Sequence, residues 1–208
     1  MKRICVSACL LGVPCRWKGD AKPCEAVKRL AERVSVRALD PATRRAVGRS
    51  RAGAAESAEI VSHAESAENA EVELVPFCPE LAAGLGCPRP PIELVQVEAS
   101  TPSTLSTSST PSTPSTIRAL RVDRKGDATD ALLAACEAEA DALARAGGAD
   151  GFVLKARSPS CGLASPLHDT EGREIGTTPG LWAAVALGRF PGADFRDETG
   201  AATLPNLR

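Results

Sequence analysis

GFVLKARSPSCG, residues 151–162, begins as an apolar run and ends in two serines, a proline and a cysteine. Four apolar positions, Gly151–Leu154, stopped by turn formers read as a short strand buried on both faces, the pattern of a parallel sheet. Residues 128–146 before it favour helix, with Leu132, Leu133, Cys136 and Leu143 as apolar anchors and Gly147–Gly148 as the stop. Residues 180–187 after it resemble another helix. This order predicts an α/β fold, a mostly parallel open sheet of Rossmann-like type. In such sheets ligands collect beyond the carboxyl ends of the strands, which is where Cys161 falls.

The same arrangement occurs twice earlier. Arg3–Ser7 reads as a strand and Cys9 follows it; residues 71–77, EVELVPF, read as a strand and Cys78 follows at once. Residues 24–34 place Val27, Leu30, Ala31 and Val34 on one helical face. Residues 92–97 and 117–122 are further extended candidates. Residues 38–70 hold few large apolar side chains, and 100–116 are Ser, Thr or Pro except for Leu105. Neither stretch buries much apolar area. The expectation is a single domain over 1–208, with flexible insertions at 38–70 and 98–116 and a loose tail after Gly200.

A chain of 208 residues, 43% apolar and 25% charged, is long enough to build one sizeable core. A formal net charge of −1 gives no basic footprint, so nucleic acid is an unlikely partner. No apolar stretch approaches the roughly 20 residues needed to span a bilayer. The short apolar run at Ile4–Leu11 is soon interrupted by glycine, proline and cysteine. It reads as a buried strand rather than an export leader, and a cytoplasmic protein is expected. Eight cysteines in such a chain point to metal binding or catalysis before a disulfide framework.

Three of them, Cys9, Cys78 and Cys161, converge if the sheet is parallel. Three buried packing cysteines would be the plainer explanation. No CxxC pair marks a structural zinc knuckle. Three soft ligands at scattered strand ends suit an iron–sulfur cluster with one iron open, or a zinc with one open position. An open position can bind a substrate atom as a Lewis acid. The only histidines, His63 and His168, are too few for a His-based site. A non-catalytic iron–sulfur or zinc protein is the competing reading. A zinc hydrolase acting on a nucleobase is another, but its closely spaced ligands are missing.

RICVSACLLG (3–12), PFCPE (76–80), PRPPIE (88–93) and KARSPSCG (155–162) together carry a resemblance. The chain resembles the domain-of-unknown-function family that includes the 2-thiouracil desulfidases. The resemblance implies an α/β domain holding a 4Fe-4S cluster through Cys9, Cys78 and Cys161. The fourth iron would take sulfur from a thiolated nucleobase, a small-molecule partner. The reaction would be a non-redox, hydrolase-like desulfuration giving the oxo base and hydrogen sulfide. Glu80 is the candidate general base, and Ser158 or Ser160 a hydrogen-bond donor to the base or sulfur, with Ser160 taken as catalytic alongside Glu80. Lys155 and Arg89 are candidate charge partners, and a homo-oligomer is compatible. Cys15 stands outside the expected ligand set, and Cys5, Cys24, Cys87 and Cys136 read as packing residues. Where the family pattern places an aromatic, an acid and a glycine after the arginine, this chain has Trp17, Lys18 and Gly19, with Asp20 beyond.

Overall fold

The computed structural model describes residues 1–39, 43–44, 71–97, 117–123 and 125–200. Most of the two expected insertions, the tail after Gly200 and His63 lie outside these residues.

A five-stranded sheet organises the fold. Its strands are β1 (Lys2–Ser7), β2 (Ser35–Val36), β3 (Val72–Phe77), β6 (Gly151–Leu154) and β9 (Asp194–Asp197), in the order β2-β3-β1-β6-β9. Every pairing in it is parallel. The central strand β1 is buried from Ile4 to Ser7, and its apolar Ile4, Cys5 and Val6 are covered on both faces. Ile4 and Val6 point into a cluster with Leu10, Val27 and Leu74, which is closed by α1 (Glu25–Ala31). Cys5 points the other way, among Val75, Phe77, Phe152 and Leu154. There it meets α3 (Thr129–Arg145) and α4 (Leu181–Arg189) through Cys136, Leu143, Trp182 and Ala186. Cys5 and Cys136 are thus core residues.

The mostly parallel α/β sheet is therefore as the sequence indicates, and β9 is an addition to it. The charged strand Asp194–Asp197 has no apolar run to announce it; it is held as an edge by pairing with β6, Phe152 opposite Phe195. Their rings stack at 4.6 Å between centroids.

A second, four-stranded sheet was not anticipated. Here β4 (Ile92–Gln96) pairs with β5 (Ile117–Arg121) and with β7 (Ser165–His168), and β7 pairs with β8 (Glu174–Thr178), giving the order β5-β4-β7-β8. In the hairpin β7–β8, β7 is half-buried and β8 largely exposed, and neither alternates in a way that periodicity would mark as a strand. Ile92, Leu94 and Ala119 pack it onto Leu132 and Leu181, fixing this sheet against α3 and α4.

Trp182 ties the main sheet to α4. It is buried, with its ring edge-on to Phe77 at 4.9 Å and to Phe152 at 5.9 Å. Trp182→Ala removes this contact and leaves a cavity. It should cost about 3–5 kcal/mol of unfolding free energy, measured by denaturant titration.

Candidate metal centre

Strands β3, β1 and β6 lie side by side and run the same way, with Ser7 opposite Phe77 and Val6 opposite Val153. Their carboxyl ends share one edge, and the next residues of each chain segment form the walls of a cavity of about 250 Å³. Cys9, Cys15, Cys78 and Cys161 all line it, together with Trp17, Glu80, Arg89, Lys155 and Ser158. All eight cysteines are free thiols.

Cys9 lies in a single 3-10 turn, Ala8–Leu11. The turn ends at Gly12, whose φ of 101° is a left-handed conformation that favours glycine. Cys78 links β3 to α2 (Pro79–Ala82), and Pro79 suits the first helical position because no amide hydrogen is needed there.

The SPSCG segment is held by the start of α4. The amides of Gly180, Leu181 and Trp182 donate to the carbonyls of Gly162, Pro159 and Ser160 at 2.8, 3.2 and 2.7 Å. These first-turn amides have no partner inside their own helix, so the loop satisfies them and is fixed in return. Ser158 Oγ accepts the Cys161 amide at 3.1 Å, and Ser165 Oγ donates to the Ser158 carbonyl.

The acid of CPE faces the same cavity. Glu80 Oε2 pairs with Arg89 Nε at 2.6 Å, and Glu80 Oε1 accepts Ser160 Oγ at 2.9 Å. Arg89 is buried and also donates to the carbonyls of Gly86 and Cys15. It therefore joins α2, the glycine-proline loop and the Cys15 loop. Ser160 is fully buried behind Glu80, whereas Ser158 lines the cavity. Lys155 is paired with Glu198 at 2.8 Å, and Asp20 with Arg16 at 2.8 Å. His168 lies on β7, 3.9 Å from Glu93 in the second sheet, and is no part of this lining.

The sulfurs interact. Interaction with the neighbouring Cys78 and Cys9 thiols, together with burial, pushes the Cys15 thiol well above the usual range, and the Cys78 thiol meets the Cys15 carbonyl at 3.9 Å. Interaction with Cys15 holds the Cys78 thiol below that range, against the opposing effect of burial. Burial raises Cys161, and a hydrogen bond with Ser7 offsets part of that rise. Among the described residues no group of three or more His, Cys, Asp or Glu is arranged around a single metal ion. A cluster makes a different demand: each thiolate meets its own iron, so the ligands stand around a wider body. Three buried thiols lining one cavity, with no histidine among the lining residues, fit that donor set.

The family model for 2-thiouracil desulfurase matches residues 52–198. The chain belongs to the 2-thiouracil desulfurase family. The match takes in Cys78, Glu80, Ser160 and Cys161, while Cys9 lies ahead of it. A solved structure of a 4Fe-4S-dependent thiouracil desulfidase, TudS, superposes with a TM-score of 0.54 at 23% identity. It covers 98% of this chain and 95% of its own, a likeness of fold. No curated protein matches the chain.

Sequence reasoning brought Cys9, Cys78, Cys161 and Glu80 to the cavity of this desulfurase-family chain. It left out Cys15, whose place depends on how the loop after Gly12 folds back. The spacing of Cys9 and Cys15 carries no strand-end signal that would have found it. Arg89 was expected as a charge partner at the site, and its Nε, Nη1 and Nη2 all have partners within the protein.

Gly180 is the packing limit of the site. A Cβ there would stand 2.7 Å from the Ser160 carbonyl carbon and 2.8 Å from the Pro159 oxygen. Gly180→Ala should displace SPSCG, cost about 1–3 kcal/mol and weaken metal uptake. Thermal unfolding and iron titration check both effects.

Proposed function

We propose that this chain is an iron–sulfur-dependent desulfurase that replaces the sulfur of a thiolated pyrimidine such as 2-thiouracil with oxygen from water and releases hydrogen sulfide. The observation that carries the reading is the convergence of Cys9, Cys78 and Cys161 on one cavity beside the Glu80 carboxylate. Family membership supports the same reaction class.

Cys9, Cys78 and Cys161 would hold a 4Fe-4S cluster, each giving up its proton on binding. When bound, the cluster supplies an iron without a protein ligand, a soft acid for the thiocarbonyl sulfur and a means of drawing electrons from the ring carbon. Water adds to that carbon, and the carbon–sulfur bond breaks as the oxo base forms; no electron leaves or enters overall. Glu80 receives the water proton, as a carboxylate that lines the cavity and is oriented at both oxygens. Ser160 acts through Glu80 by holding its Oε1. Ser158 is the hydroxyl at the cavity wall that can meet the ring or the departing sulfur.

Trp17 supplies the flat surface a pyrimidine needs. It lines the cavity and is 40% exposed, and Lys18 Nζ lies 4.9 Å from its ring centroid. Lys18 does not line the cavity, so the ammonium braces the indole from outside. The cations Arg89, Lys155 and Arg16 each have a carboxylate partner, which suits an uncharged ring. Free thiols at such a site belong in a reducing compartment, in keeping with the cytoplasm.

Protein purified without oxygen should contain about four iron and four sulfide per chain and should convert 2-thiouracil to uracil with equimolar sulfide. Loss of thione absorbance and a sulfide assay follow the turnover. Zinc without labile sulfide would reject the cluster, and a fully loaded protein without turnover would favour an electron carrier. Cys161→Ser should abolish cluster loading; normal iron content in that variant would reject its place as a ligand. Trp17→Ala should raise KM about tenfold with kcat little changed, and Trp17→Phe should recover most of the loss.

A further inference from the structure

The wall that carries Trp17 is held by a neighbouring loop, carbonyl by carbonyl. Residues 14–17 bring Cys15, Arg16 and Trp17 to the cavity. Their four consecutive carbonyls are bound by two residues of the glycine-proline loop. The Cys87 thiol donates to the carbonyls of Pro14 and Arg16 at 3.2 and 3.3 Å. Arg89 takes the alternate pair: its Nη2 donates to the Cys15 carbonyl and its amide to the Trp17 carbonyl, each at 2.9 Å. The turn that follows closes on itself. The Gly19 amide bonds the Arg16 carbonyl at 2.8 Å, and the Arg16 amide the Asp20 carbonyl at 3.1 Å. A Cβ on Gly19 would stand 3.9 Å from both Cys87 Sγ and Pro88 Cβ, so this turn rests directly on the clamp.

Cys87 reads from the sequence as a packing residue, and packing needs no such bonds. A thiol is a weak donor with one hydrogen. Here that hydrogen is shared between two carbonyls of one loop. Burial pushes the thiol up from its ordinary range, so it keeps the hydrogen it shares. Arg89 has a second task, since its Nε pairs with Glu80 at 2.6 Å. Cys87 does not line the cavity, so it is the member of the clamp that can be changed without touching the Glu80 pair. A flat side chain serves a ring best when only its own two torsions are free. Four successive carbonyls held in place leave the Trp17 indole little more than those.

We propose that Cys87 is a positioning residue for the substrate: through the carbonyls of Pro14 and Arg16 its thiol fixes the backbone that presents the Trp17 indole to the cavity, and so sets the affinity for the pyrimidine ring. The ring comes from the desulfurase reading above, on which this part of the inference rests; the hold on Trp17 stands on the hydrogen bonds alone. Without the clamp the indole has to be ordered when the ring arrives, which weakens binding. The chemistry of the ring once bound is unaltered.

The test uses the full chain, loaded with its cluster under anaerobic conditions and labelled with fluorotryptophan. Fluorine NMR then gives one resonance for each tryptophan, and Trp17→Phe identifies that of residue 17. Cys87→Ala should shift or broaden the Trp17 resonance, leave that of Trp182 in place and keep wild-type iron and sulfide per chain. Its KM for 2-thiouracil should rise about threefold with kcat little changed. Cys87→Val, which keeps the volume without the donor, should behave as Cys87→Ala does. Cys87→Ser, which keeps a hydroxyl donor, should recover the resonance and most of the KM. An unmoved Trp17 resonance in both Cys87→Ala and Cys87→Val would overturn the proposal, as would recovery by valine, which makes Cys87 a packing residue. A moved resonance with unchanged KM would break the link to the ring. Lost iron, or a fall in kcat alone, would overturn the proposal in favour of a role at the metal centre. Loaded wild-type protein without turnover would remove the desulfurase reading and the claim on affinity with it, while the resonance still decides the hold on Trp17.

Discussion

Parallel pairing of β1 with both β3 and β6 is the constraint on which the rest depends. It makes three chain segments end at one edge of the sheet, and it does so before any side chain at that edge is considered. The residues after those strands then have to turn, and at the turns stand Cys9, Cys78 and Cys161. Apolar burial on both faces keeps the strands in register, since a shift by one residue would turn Ile4 and Val6 to the wrong face. The chemistry of the edge is thus held in place by ordinary core packing below it.

Much of this was legible in the sequence because it is local. An apolar run, a stop and a cysteine recur three times, and the parallel α/β rule says where such stops gather. Glu80 could be read from its place two residues after Cys78. The parts that were not legible depend on contacts between distant segments. β9 is an edge strand fixed by one neighbour, and β7–β8 is a polar hairpin held by a sheet whose core is supplied by other elements. Cys15 and Arg89 owe their positions to each other. The guanidinium that orients Glu80 also fixes the Cys15 carbonyl, and neither bond has a sequence signature.

The cavity divides its polar groups by task. Charges are paired around it, Arg89 with Glu80 and Lys155 with Glu198, so the wall is polar but close to neutral. Sulfur, by contrast, is concentrated inside. A soft, uncharged ligand atom gains most from such a place, because hard anions find no unpaired cation and cations find no free carboxylate among these pairs.

The grip of α4 on SPSCG also sets an order of events during synthesis. The carbonyls of Pro159, Ser160 and Gly162 find their partners on residues 180–182, and Glu198 reaches back to the Ala156 amide and to Lys155. A nascent chain that has just emitted Cys161 from the ribosome has the thiol but not the wall that fixes it. The cavity reaches its final shape only after nearly the whole described chain has emerged.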